Sequence, residues 1–172
     1  EHSLARPLMA FQRGALVPLV VAGEALPAQL ASLLSSFIRP PVSVKYAFVA
    51  GVTFFAIPAQ LVQVIINLVT NARDAMSSGG VVLLRARPSD DEPGFTQLDV
   101  IDTGAGITAE HAAQLFQPFF TTKGHNGTGL GLSLVHFIVG QHHGTVAIHS
   151  TAGEGTTVSI RWPSTAAHAA TT

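Results

Sequence analysis

The sequence predicts an α+β domain. The fold class is a two-layer α/β sandwich, with a mixed, mostly antiparallel sheet packed on about three helices. Three observations predict it. Apolar residues recur at helical spacing over 24–38, 58–77 and 129–141. Strand-like runs rich in β-branched and aromatic residues occupy 42–48, 52–57, 81–88, 95–102, 144–150 and 155–163. The two kinds of segment interleave and close on a hairpin, which places the helices on one face of one sheet.

Each element has a local reason. The spacing of Leu4, Leu8 and Phe11 predicts a helix over 1–14, kinked or capped at Pro7. In EALPAQLASLLSSFI, Leu26, Leu30, Leu33, Leu34 and Phe37 share a side, and Arg39-Pro40-Pro41 ends the helix. VSVKYAF alternates as a half-buried strand, and VTFFAI reads as a more buried one. Pro58 suits a first helical position, so a helix runs over 58–77 and stops at Gly79-Gly80. VVLLRARP and FTQLDVID follow as strands, joined by the turn-rich SDDEPG. A helix over 129–141 and a hairpin through TAGEG complete the domain.

Composition narrows the function classes. Nine Lys and Arg against ten Asp and Glu give a net charge of −1, which argues against nucleic-acid or anionic-membrane binding. Charged residues are only 11%, against about 25% in an average domain. The chain has no cysteine, so a disulfide scaffold, a cysteine nucleophile and a thiolate metal site are excluded. No apolar run reaches the roughly 18 residues of a membrane span; the best, 14–23 and 47–59, are broken by Pro18 and Pro58. The start lacks an initiator Met and a signal-peptide pattern, which predicts a fragment of a longer protein.

The 58–77 helix carries a polar stripe: Gln60, Gln63, Asn67, Asn71 and Asp74 fall on one face, opposite Leu61, Ile65, Leu68, Ala72 and Ala75. Asparagine is a poor mid-helix residue, and a merely solvated face would normally use Glu and Lys. An asparagine amide oxygen is a good ligand for a hard cation such as Mg²⁺.

The segment 102–132 is bracketed by glycines. Asp102 stands at a strand end, followed by Gly104 and Gly106. A carboxylate there can accept from an exocyclic amine, a bond worth roughly 1.5–3 kcal/mol. Gly127-Thr128-Gly129-Leu130-Gly131-Leu132 then opens a helix whose free amides favour phosphate. Lys123 is the strong positive charge between the two clusters, and no Asp or Glu occurs between Glu110 and Glu154. One end therefore suits a base and the other suits phosphates. A P-loop is excluded because Gly-Lys never occurs. Gly104-Ala105-Gly106-Ile107-Thr108-Ala109 fits a dinucleotide fingerprint, but the acid expected about twenty residues later is missing.

These residues resemble the catalytic domain of bacterial sensor histidine kinases. Asn67 to Met76 (NLVTNARDAM) looks like their N box, and Asp102 to Ile107 (DTGAGI) like the first glycine box. Phe116 to Lys123 (FQPFFTTK) looks like the F box, and Gly127 to Leu132 (GTGLGL) like the second glycine box. Gly155-Thr156-Thr157 ahead of the last strand also matches. The FFTTK and NARDAM forms look most like the nitrogen-regulation and oxygen-sensing branch. The resemblance covers about 55–163, and more weakly 1–54.

The resemblance implies the Bergerat ATP-binding fold of gyrases, chaperones and kinases, with ATP and Mg²⁺ as cofactors. It implies that Asn71 holds Mg²⁺ and that Asp102 binds the adenine amino group, with Gly104, Gly106, Ile107 and Thr156 nearby. Asn67, Asp74, Phe119, Lys123 and the amides of Gly127, Thr128, Gly129, Leu130, Gly131 and Leu132 would complete the site, Lys123 acting with Asn71 in catalysis. The segment 103–128 would be the ATP lid. Residues 1–23 would be the end of a dimerisation helix and its linker, 24–163 the catalytic domain, and 164–172 a disordered tail or linker.

The implied reaction is transfer of the ATP γ-phosphoryl group to a histidine on a dimerisation domain, for relay to a response-regulator receiver domain, in a homodimer. The fragment would be soluble and cytoplasmic, with the full protein anchored at the inner membrane. Alternatives are a pseudokinase that keeps the fold as a protein-binding module, or an ATPase of the same superfamily. Against the last, ATP-hydrolysing relatives carry a glutamate base where this chain has Asn67, which cannot take a proton. Two positions depart from the pattern: Asp74 stands where many relatives have a basic residue, and Ile57 replaces a polar residue before the helix proline. His2-Ser3-Leu4-Ala5-Arg6-Pro7-Leu8 resembles a degraded phosphoacceptor box, but too little chain separates it from Asn71 for a hairpin and linker. The remaining histidines match no metal spacing.

Overall fold

The computed structural model describes residues 17–107, 110 and 131–169. Five strands form the main sheet in the order β2-β4-β5-β7-β6: β2 (Val42–Phe48), β4 (Gly80–Pro88), β5 (Phe95–Asp102), β6 (Thr145–Thr151) and β7 (Gly155–Pro163). β2 and β4 are parallel; the other neighbours are antiparallel. That one parallel pair needs a crossover, and the helix α2 (Pro58–Asp74) supplies it. The expected mixed, mostly antiparallel sheet is therefore present.

Helices α1 (Leu26–Leu34), α2 and α3 (Gly131–Gln141) cover the inner face of the sheet. Inward positions alternate with outward ones, as a pleated sheet demands. Val82, Leu84 and Ala86 of β4 and Leu98 and Val100 of β5 are buried against Leu61, Ile65, Leu68 and Val69 of α2. α2 also buries Val62 and Val64, because it lies between the sheet and α3 rather than on an open surface.

The structure corrects four expectations. First, β3 (Thr53–Ala56) does not join the main sheet. It pairs antiparallel with β1 (Leu19–Ala22), in a register from Leu19↔Ala56 to Ala22↔Thr53. Second, Leu19–Ala22, expected in a linker, is thus a strand. It has no alternating pattern because it stays largely exposed. Third, Phe37 is 48% exposed, because α1 stops at Leu34 and the chain turns before Phe37 could continue the buried stripe. Fourth, 164–169, expected in a disordered tail or linker, has regular structure rather than disorder. Ser164 donates its N–H to Gly94 O at 2.9 Å and accepts from Thr53 Oγ1 at 2.9 Å. A short helix α4 (Ala166–Ala169) follows, with the His168 ring 5.9 Å from that of Phe95.

Trp162 of β7 ties the small sheet to the large one. It is fully buried, donates Nε1–H to Phe55 O at 2.9 Å, and packs its ring 4.7 Å from that of His142 at a 39° tilt. No described helix is long and apolar enough to cross a membrane. The helix expected over 1–14 lies outside the described residues.

Candidate functional site

Asp102 is the last residue of the central strand β5. Its neighbour β7 brings Thr156 opposite it, and β6 brings Ser150 opposite Thr156. Side chains at matched register share a face, so Asp102, Thr156 and Ser150 make a polar row at one end of an otherwise apolar inner surface. Asp102 is 8% exposed. Its Oδ1 accepts the N–H of Gly104 at 2.9 Å and of Thr156 at 3.3 Å. Among the described residues none donates to Oδ2. Burial raises the Asp102 pKa, and the two N–H bonds work against that rise.

The backbone after Asp102 is threaded through a narrow gap. A Cβ on Gly104 would stand 2.5 Å from Ala75 O, and one on Gly155 only 2.2 Å from Asp102 O. Gly106 has φ +71°, and a Cβ there would meet Thr151 O at 2.1 Å. Ala105 donates to Ala75 O at 3.1 Å and accepts from Gly153 N–H. Ile107 donates its N–H to Ser150 Oγ at 2.7 Å. These glycines are where backbone approach leaves no room for a side chain.

Asn71, three turns into α2 and half-buried, faces the start of α3. A Cβ on Gly131 would lie 3.4 Å from its Nδ2 and 3.6 Å from its Oδ1. Asn67, one turn earlier, is also half-buried, and its carbonyl takes the Thr70 hydroxyl at 3.1 Å. Asn71 of the polar stripe therefore lies beside Gly131, the first described residue of α3. Leu132, in the first turn of α3, packs onto the core. Asp74 turns aside: Arg73 holds its Oδ1 at 2.9 Å through Nε and Nη2 and reaches Phe37 O with Nη1 at 3.0 Å.

The fold thus gathers Asn67, Asn71, Asp102, Gly104, Gly106, Ile107, Gly131 and Thr156 around the same end of the sheet and helices. Phe119, Lys123, Gly127, Thr128, Gly129 and Leu130 lie outside the described residues, as does most of the expected lid. Ser150 was not singled out from sequence. Its signal is a polar residue at an inward position of β6, in step with Val146 and Ile148.

The same architecture occurs in known proteins. The family model described as histidine kinase-, DNA gyrase B- and HSP90-like ATPase matches residues 56–166. The chain belongs to this ATPase family. The matched span of the ATPase domain runs from the end of β3 to the start of α4. Sensor kinase CckA of Brucella abortus is 38% identical over 94% of the chain and 19% of its own length. Sensor histidine kinase ZraS of Escherichia coli is 43% identical over 62% of the chain and 22% of its own length. The chain thus spans about a fifth of these relatives. Full-length ShkA, solved in complex with AMPPNP, superposes with a TM-score of 0.74 at 28% identity, over 94% of the chain and 35% of ShkA. The catalytic domain of the histidine kinase ThkA superposes at 0.72 with 26% identity, over 87% and 97%. The mixed five-stranded sheet packed on helices is the fold of these catalytic domains, and membership of the ATPase family implies ATP binding.

Proposed function

We propose that this chain is the ATP-binding catalytic part of a two-component sensor histidine kinase. It would transfer the γ-phosphoryl group of ATP to a histidine on a dimerisation domain, from which a response-regulator receiver domain takes it. The observation that carries this reading is the opposition of two unlike ends. Asp102 offers a carboxylate oxygen for a base amine, while Asn71 places its amide group beside Gly131 of α3. The residue type fits Mg²⁺: Asn71, beside Gly131, would hold the ion through a neutral amide oxygen, a good ligand for a hard cation. Bound there, the ion would neutralise charge on the transferring group.

The chain's own residues position and stabilise. Asp102, with Thr156 and Gly106 beside it, orients the base. Asn71 and the first amides of α3 receive the phosphate end, with Lys123 and the 127–132 glycines completing that end. Arg73 neutralises Asp74, which keeps a carboxylate from facing a triphosphate. Asn67 cannot act as a base for water, which favours transfer over hydrolysis.

Finer parts of the proposal rest on the sequence motifs. They are the nitrogen-regulation and oxygen-sensing branch, a homodimer built through residues ahead of the catalytic domain, and inner-membrane anchoring elsewhere in a longer protein.

Calorimetric titration of the chain with ATP and ADP, with and without Mg²⁺, tests the reading. Binding that strengthens with Mg²⁺ and is lost in Asn71→Ala and in Asp102→Ala is expected. Absence of nucleotide binding to the unmutated chain sinks it.

A further inference from the structure

The polar row at the base-reading end contains a hydroxyl whose proton can be located by counting. Ser150 Oγ lies 2.7 Å from Ile107 N, 3.1 Å from Gly155 O and 2.7 Å from Thr156 Oγ1. A serine hydroxyl offers one proton and two lone pairs. The Ile107 amide can only donate, so it occupies one lone pair. The Gly155 carbonyl can only accept, so it takes the proton. One lone pair remains, and the Thr156 hydroxyl must donate into it. The Thr156 proton is thereby committed, and Thr156 Oγ1 offers lone pairs alone to anything that reaches it.

Asp102 sits next to Thr156 at matched register, with Oδ1 filled by the Gly104 and Thr156 amides. We propose that Ser150 is a positioning residue for base selection: it makes Thr156 an obligate acceptor, so that Thr156 and Asp102 present an acceptor-only edge. Such an edge takes a purine with an exocyclic amine and rejects one with a carbonyl at the same position, where lone pairs would face lone pairs. Ser150 does not touch the base; it acts through Thr156. Replacing Ser150 with alanine frees the Thr156 hydroxyl to rotate and donate, and a carbonyl purine becomes tolerable. The proposal rests on the nucleotide reading above and deepens it.

The test is calorimetric titration of the whole chain with Mg·ADP and Mg·IDP, which differ at the amine-to-carbonyl position and at the adjoining N1, an acceptor in ADP and an N–H donor in IDP. The unmutated chain prefers ADP. Ser150→Ala narrows the ADP-to-IDP affinity ratio by roughly five- to tenfold, the worth of one hydrogen bond. Ser150→Thr keeps the hydroxyl and keeps the ratio. Thermal unfolding monitors each variant; if Ser150→Ala fails to fold, Thr156→Val removes the acceptor and must narrow the ratio instead. A ratio unchanged in a folded Ser150→Ala, or both nucleotides weakened equally, overturns the proposal while leaving ATP binding standing. Failure of the unmutated chain to bind either nucleotide overturns the nucleotide reading itself, and is a distinct result.

Discussion

Ile57 donates its backbone N–H to Nε2 of His142 at 3.2 Å. The helix that carries Asn71 therefore begins on a side chain from the end of α3. Ile57 has no polar side chain to cap α2, and no side-chain cap is made there. The imidazole substitutes at the preceding amide, while its Nδ1 lies 2.8 Å from Ile138 O. With Nε2 accepting, Nδ1 carries the proton and the ring is neutral.

A pH dependence follows. Burial lowers the His142 pKa, against the Ile138 carbonyl bond, with the His143 charge adding to the lowering. A lowered folded-state pKa means that the unfolded chain takes up the proton first. Stability is full above the unfolded value of about 6.5 and falls as pH drops below it toward the folded value. Thermal unfolding of the chain between about pH 7.5 and about pH 5.5 should show Tm falling with pH, and His142→Gln should flatten that fall. Equal slopes in the two proteins would refute the assignment.

Two glycines should respond oppositely to alanine. At Gly106 the positive φ and the contact with Thr151 O both oppose a Cβ; Gly106→Ala should cost about 1–3 kcal/mol in denaturant unfolding. Among the described residues, the atoms nearest a new Cβ at Gly131 belong to the Asn71 amide, at ordinary contact distance. Gly131→Ala should leave stability unchanged or raise it by up to about 1 kcal/mol, while weakening Mg²⁺-dependent nucleotide binding severalfold. A Gly131→Ala chain with unaltered Mg²⁺ dependence would separate Asn71 from the metal.

Asp99 faces the opposite side of the sheet and is 1% exposed. Burial pushes its carboxyl up, but bonds from Gln97, Ser159 and Arg85, with the Arg85 charge, outweigh burial and hold it below the usual range. Arg85 approaches Asp99 Oδ2 at 2.8 Å through Nη2. Arg85→Ala would strand a buried carboxylate and should destabilise by about 1–3 kcal/mol. The loss should be present above about pH 4 and shrink as Asp99 protonates in acid. Chemical denaturation of the variant at neutral and acid pH checks both. Nucleotide affinity should not change, because Asp99 and Asp102 project from opposite faces of β5.

Much of the domain could be read from residue order. Hydrophobic period located α2 and the main-sheet strands β2, β4, β5, β6 and β7 to within a few residues, because an amphipathic face repeats over many positions. It failed where no period exists. Leu19–Ala22 is a short, exposed strand held only by its ladder to Thr53–Ala56. The helix at Ala166–Ala169 follows a residue held by Thr53, Gly94 and Thr96, which are distant in sequence.

The site divides in the same way. Residue types and spacing along the chain singled out a carboxylate with glycines and an asparagine stripe, because chemistry and backbone freedom are properties of individual residues. Only the tertiary structure decided which oxygen of Asp102 is occupied, that Arg73 turns Asp74 aside, and that the Ser150 and Thr156 hydroxyls meet. Those outcomes depend on strand register: Asp102, Thr156 and Ser150 come from three strands, and only sheet pairing sets them in one row.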